Sequence, residues 1–206
     1  MHSRLFPQRF AHSLANTISH TLWQGQAITR SWSEATAHLA YSRFWLAFVV
    51  GIGALSNVAQ ACALPFVCLA VLTGATLPRR RAIGAVTLVW GVNQACGYGL
   101  FNYPHTWDSY LWGVAILAST LVATWLVGSR PLYAQANSGR AYLQQGLNFA
   151  VGFGVFYGLL YGVGLALQCE PMTLRFYTEF FLQNMIWISA ALIVHGILTQ
   201  QYMRNS

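Results

Sequence analysis

Tyr110-Leu-Trp-Gly-Val-Ala-Ile-Leu-Ala-Ser-Thr-Leu-Val-Ala-Thr-Trp-Leu-Val-Gly128 contains no Asp, Glu, Lys or Arg, and its nearest charges are Asp108 on one side and Arg130 on the other. A hydrocarbon core ~30 Å thick is crossed by a helix of ~20 predominantly apolar residues, since a helix bonds its own backbone N–H and C=O groups where no water is available. The stretch therefore reads as a transmembrane helix. Working outward, comparable apolar runs lie at about 44–60, 63–77, 82–101, 145–167 and 179–198, so six crossings are expected. The first two are short and meet near Pro65, a residue suited to the first turn of a helix.

The composition points the same way. Of 206 residues, 56% are hydrophobic, 15% aromatic and 7% charged, against about 25% charged in a soluble globular domain. That excludes a water-soluble domain, and it excludes the polar tracts of a disordered chain. The expectation is an all-α polytopic membrane protein with six transmembrane helices over 44–200, a polar segment over 1–43 and a tail over 201–206. Within 1–43, Phe6, Phe10, Leu14, Ile18 and Leu22 recur every four positions, with Arg4, Arg9 and Arg30 between them. This spacing predicts an N-terminal amphipathic helix on the membrane surface. A Ser- and Thr-rich stretch with Glu34 as its one acid also suits a mitochondrial transit peptide, or an unstructured tail.

The net charge of +7 comes from arginines, with no lysine, against Glu34, Asp108, Glu170 and Glu179. If the N-terminus is inside, every arginine except Arg175 falls on the inner side, while Asp108, Glu170 and Glu179 fall outside. The positive-inside rule then puts both termini in the cytoplasm, and a bacterial inner membrane is the expected location. The cations sit singly or as one triplet between apolar runs, so the lipid bilayer is the expected partner and nucleic acid is not. No internal repeat of the kind common in secondary transporters is visible.

The residues most able to carry chemistry lie between Trp90 and Trp112. Asn93, Gln94, Cys96 and Tyr98 occupy the outer half of the third run, followed by Tyr103, His105, Trp107, Asp108 and Trp112. Aromatics gather at membrane interfaces regardless of function, which accounts for Trp107, Tyr110 and Trp112. Amides at membrane depth must find partners, so Asn93 and Gln94 either bind neighbouring helices or line a cavity. Gly154, Gly158 and Gly162 form a small-residue ridge in the fifth run, a pattern that favours close helix packing.

Cys62, Cys96 and Cys169 fall on the outer side. They could form a disulfide there, pack as small apolar residues, or supply a soft thiolate to a metal. No Cys-x-x-Cys, His-Glu-x-x-His or nucleophile-elbow pattern occurs. His195 is the only histidine within a crossing, so facing haem ligands are not expected. The protein is read as a non-enzyme without an intrinsic cofactor.

About 200 residues, six crossings, both ends inside and the aromatic run Trp90…Asn93-Gln94…Gly97-Tyr98…Tyr103-Pro104…Trp112-Gly113 together resemble the S-components of energy-coupling-factor (ECF) vitamin transporters, in particular their solitary cobalamin-uptake group. The resemblance covers about residues 44–200 by topology. It implies vitamin uptake, with a small molecule entering from outside and resting under the outer loops. It also implies cobalamin as a bound substrate and Cys96 as a ligand to the corrinoid cobalt. Asn93, Gln94, Cys96, Tyr98, Tyr103, His105, Trp107, Asp108 and Trp112 would form the substrate site. A transmembrane coupling subunit and ATPases would be the partners, met through small residues such as Ala47 and Gly51. The alternative is a non-transporting membrane subunit or assembly factor whose amides and glycines hold partner helices.

Overall fold

The computed structural model describes residues 32–59, 66–135, 138–168 and 173–204. Among these, every regular element is helical. The helices are α1 (Trp32–Tyr41), α2 (Arg43–Ala59), α3 (Phe66–Thr76), α4 (Arg79–Gly99), α5 (Trp107–Val127), α6 (Ser138–Ala166) and α7 (Leu174–Arg204), with a 3-10 turn at Leu132–Ala134. The amphipathic pattern of Phe6 to Leu22, together with Cys62, Pro65 and Cys169, lies outside the described residues.

Each apolar run of the sequence has become a helix, but the lengths differ from expectation. α6 starts seven residues before the expected 145 and α7 continues to Arg204, so most of the expected tail is helical. A helix need not stop where hydrocarbon stops, because its hydrogen bonds are internal in water as well as in lipid. At the other extreme, α3 has 11 residues and at 1.5 Å per residue spans only about 16 Å, roughly half the hydrocarbon slab.

By length and composition, six full crossings are not shown among the described residues. Three stretches are long and apolar enough to span a membrane, Trp107–Ala134, Gly139–Ala166 and Arg175–Arg204, and a fourth is obtained if α1 and α2, bent by 62°, count as one. α4 is long enough at 21 residues, but its arginine triplet and the Asn93-Gln94 pair lower its mean hydropathy. α3 falls short by length alone.

α3 sits at the centre. All 11 of its residues are buried, packed by α4, α5, α6 and α7, while α2 pairs with α4 and α5 with α6. A helix apolar on every side has no face for an interface with water and is enclosed by others. Its early N–H of Cys68 donates to Asn184 Oδ1 of α7 at 2.9 Å, and Asn184 Nδ2 donates to Phe180 O. The first-turn N–H groups of a helix lack intrahelical acceptors, so this side chain resolves a polar group that would otherwise be orphaned in the apolar interior.

Side-chain contacts define two ends. One end gathers Arg43, Arg79, Arg80, Arg81, Arg130, Arg140 and Arg204. There Arg81 lies over the Tyr41 ring, Arg79 over Trp125, and His38 stacks on Tyr202 at 4.4 Å. Arg175, at the opposite end, is paired with Glu179 at 2.7 Å. Between the ends, Leu88, Leu147, Val151, Ile186 and Ile193 are exposed apolar side chains of the kind lipid would cover. The ridge Gly154, Gly158, Gly162 belongs to that outer surface: a Cβ built at any of the three meets nothing within 4 Å, so among the described residues it packs against no other helix.

Candidate ligand-binding site

A cavity of about 230 Å³ lies at the end opposite the arginine triplet. α4 contributes Asn93, Gln94 and Tyr98, the following loop Tyr103, and α5 Ser109, Trp112, Gly113 and Ile116. α6 adds Phe156, Tyr157 and Leu160, α7 adds Phe176 and Phe180, and Phe66 at the start of α3 completes the lining.

The loop between α4 and α5 is built by local chemistry. The N–H groups of Leu100 and Phe101 both reach back to Cys96 O, at 2.8 and 3.0 Å, and Asn102 adopts a positive φ of 52°, a conformation Asn tolerates better than most residues. The chain then turns back, Tyr103 N donating to Gly97 O at 3.0 Å. Gly97 is required here, because a Cβ at this position would stand 2.5 Å from the Tyr103 ring. Thr106 caps α5 by accepting from Ser109 N, and Asp108 lies in the first helical turn, where a negative charge complements the helix dipole.

Above the cavity the rings interlock. Tyr98 meets Tyr103 edge-on at 5.9 Å and lies against His105 at 5.2 Å and Tyr110 at 5.1 Å. Its hydroxyl is 3.0 Å from Ser109 Oγ, and His105 Nδ1 is 2.9 Å from the Tyr110 hydroxyl. On the far wall Tyr157 meets Tyr177 edge-on at 5.7 Å and Phe176 lies 4.3 Å from Phe180.

The amides define the polar part. Gln94 Nε2 donates to Asn93 Oδ1 at 3.0 Å. Trp90 Nε1 donates to Gly113 O at 2.7 Å, clamping α4 to α5. Gly113 has no side chain, and Gln94 fills the space, since a Cβ there would come within 2.5 Å of Gln94 Oε1.

Of the nine residues expected at the site, Asn93, Gln94, Tyr98, Tyr103 and Trp112 line the cavity. Cys96, His105, Trp107 and Asp108 do not. Cys96 is a half-buried free thiol. At 100° per residue it lies on the other side of Asn93 from Gln94 and Tyr98. His105 buttresses Tyr98 from outside, and Trp107, 75% exposed, points away. Sequence reasoning missed Phe66, Phe156 and Tyr157, set in apolar runs, and Phe176 and Phe180, which follow Arg175 and Glu179 at the start of α7. Among the described residues no cluster of His, Cys, Asp and Glu could hold a metal ion. No family model matches this chain, and no curated protein or solved structure is significantly similar to it.

Proposed function

We propose that this protein is a membrane-embedded binding protein for uptake of a small, ring-shaped, vitamin-like molecule. The observation that carries this reading is the cavity itself: aromatic on nearly every wall, with an amide pair at its inner surface and no fully charged side chain in its lining. A packed scaffold would use Asn93 and Gln94 to bond neighbouring helices, and here their recorded bond is to each other. The arginine-rich end is cytoplasmic by the positive-inside rule, so the cavity faces the outside of a bacterial inner membrane and both termini face in. α3 and α4 would complete six crossings as a half-length and an amide-bearing helix enclosed by the other helices. Ala47 is exposed and a Cβ at Gly51 meets nothing within 4 Å, which leaves that face of α2 available to a coupling subunit with its ATPases.

The volume favours a ligand smaller than the corrin ring of cobalamin. Pockets for drug-sized ligands run about 300–1,000 Å³, and a corrinoid is larger than such ligands. A corrinoid would need the 100–106 loop displaced and α4 reoriented before Cys96 could reach its cobalt. Two experiments test the reading. Protein purified in lipid nanodiscs should carry a small molecule, identified by extraction and mass spectrometry, that Trp112→Ala protein lacks. Reporter fusions after Arg204 and within residues 102–106 should face opposite sides of the membrane. A solute-free wild type, or both reporters on one side, overturns it.

A further inference from the structure

The chemical class of the ligand is written in what the cavity leaves unbonded. Asn93 is 7% exposed and its Nδ2 has no hydrogen-bond partner among the described residues, while Gln94 Oε1 likewise has none. Exchanging oxygen and nitrogen in both amides, which ordinary coordinates do not distinguish, preserves the count: one donor and one acceptor remain. Tyr157, 8% exposed, adds a hydroxyl with no hydrogen-bond partner among the described residues. All three side chains line the same cavity. Asn93 and Tyr157 are buried and Gln94 is half-buried beside them; buried polar groups are almost always bonded, so an occupant of the cavity would satisfy these atoms.

We infer that the cavity takes an uncharged one- or two-ring heteroaromatic bearing a lactam-type edge, a ring N–H beside a C=O, which pairs with the Asn93 and Gln94 amides while the rings stack among Tyr98, Trp112 and Phe180. The inference rests on the binding function proposed above and narrows its ligand. An N–H beside a C=O offers one donor and one acceptor on a single edge, the complement of what the amide pair lacks. Neutrality follows from the lining, which among the described residues holds no Arg, Lys, His, Asp or Glu, so an ionised ligand would enter a low-dielectric site without a counter-charge from them. Size follows from about 230 Å³, below the range of drug-sized pockets. Gly113 sets the register of the acceptor, because only a residue without a Cβ lets Gln94 lie across α5.

The test uses three probes of one size: 2-quinolone, a lactam; 2-methoxyquinoline, which lacks the N–H; and quinoline-2-carboxylate, an anion. Binding is measured by equilibrium dialysis against full-length protein in nanodiscs, with empty nanodiscs as the blank. 2-Quinolone should bind saturably and the other two at least tenfold more weakly. Asn93→Leu should reduce 2-quinolone binding to the level of the methoxy compound. Tyr157→Phe, a change too small to disturb folding, should weaken it several-fold. Gly113→Ala should weaken it too, since the new methyl displaces the mobile end of Gln94 rather than backbone. Binding of the ether or the carboxylate as tight as that of 2-quinolone overturns the inference and leaves the binding function standing. Absence of saturable binding by all three also overturns the inference, while the binding function is decided separately by the co-purified solute. Unchanged 2-quinolone affinity in both Asn93→Leu and Tyr157→Phe overturns the assigned contacts.

Discussion

The two ends of the bundle both bury polar side chains in apolar helices, and they do opposite things with them. At the arginine-rich end, Trp45 Nε1 donates to Thr76 Oγ1 at 2.9 Å and Thr76 Oγ1 in turn reaches Leu72 O. His195, 1% exposed, is 3.3 Å from the Tyr142 hydroxyl and lies edge-on to Trp45 at 5.2 Å. Gln145 bonds Ala141 O and accepts from Asn148, which accepts from Gln144. Here Trp45 and Thr76 join α2 to α3 and Tyr142 and His195 join α6 to α7, while the amides bond within α6. At the other end Asn93 and Gln94 bond each other, and both side chains line a cavity. Position in an apolar run does not reveal whether a buried amide spends its hydrogen bonds on its own helix or lines a cavity.

The sharpest way to break this contrast is to truncate one large indole at each end. Trp45→Ala removes a fully buried ring and should cost about 3 kcal/mol of stability, read as a lower unfolding midpoint in detergent. Trp112→Ala should leave that midpoint much closer to wild type and lose the bound solute instead. Equal destabilisation by the two would mean that both ends are packing cores.

A smaller loss is expected at the centre. Asn184→Leu deprives the Cys68 N–H of its acceptor and should cost about 1–3 kcal/mol, the usual range for stranding a buried donor. Hydrogen exchange of the Cys68 amide should quicken if the assignment is right. Unchanged exchange would place its partner elsewhere.

Tyr142→Phe removes a single interhelical hydrogen bond. Such bonds in membranes average about 0.6 kcal/mol, so the midpoint should fall slightly with ligand affinity unaltered. Asn93→Leu gives up one amide–amide hydrogen bond and should cost about 0.5 kcal/mol, the low end for a single hydrogen bond, while abolishing most ligand binding. A larger stability loss there would reassign Asn93 to helix packing and remove the contrast between the two ends.

Residues that announce themselves by being polar were legible. Asn93 and Gln94 break an apolar run, and Tyr98, Tyr103 and Trp112 stand within a dense aromatic stretch, so the α4 and α5 walls of the site could be read directly. Phe156, Tyr157, Phe176 and Phe180 could not. An aromatic in a transmembrane run looks the same whether it faces lipid, a neighbouring helix or a cavity, and nothing local separates Phe156, 4% exposed, from Leu147, 60% exposed. His105 and Asp108 were grouped with the site by proximity in the chain, and helix phase and loop geometry turned them away.

By itself the sequence determined the helical class, the presence of runs apolar enough to cross a membrane and the placement of charge between them, because those follow from composition and periodicity. Tertiary structure decided the rest: that α3 is a half-length helix enclosed on all sides, that the Gly154 to Gly162 ridge faces outward, and that a cavity exists at all. Apolar residues do not distinguish lipid from protein as surroundings, since lipid tails are as apolar as Leu. Which faces meet, and where they fail to meet, depends on shape complementarity between segments distant in sequence.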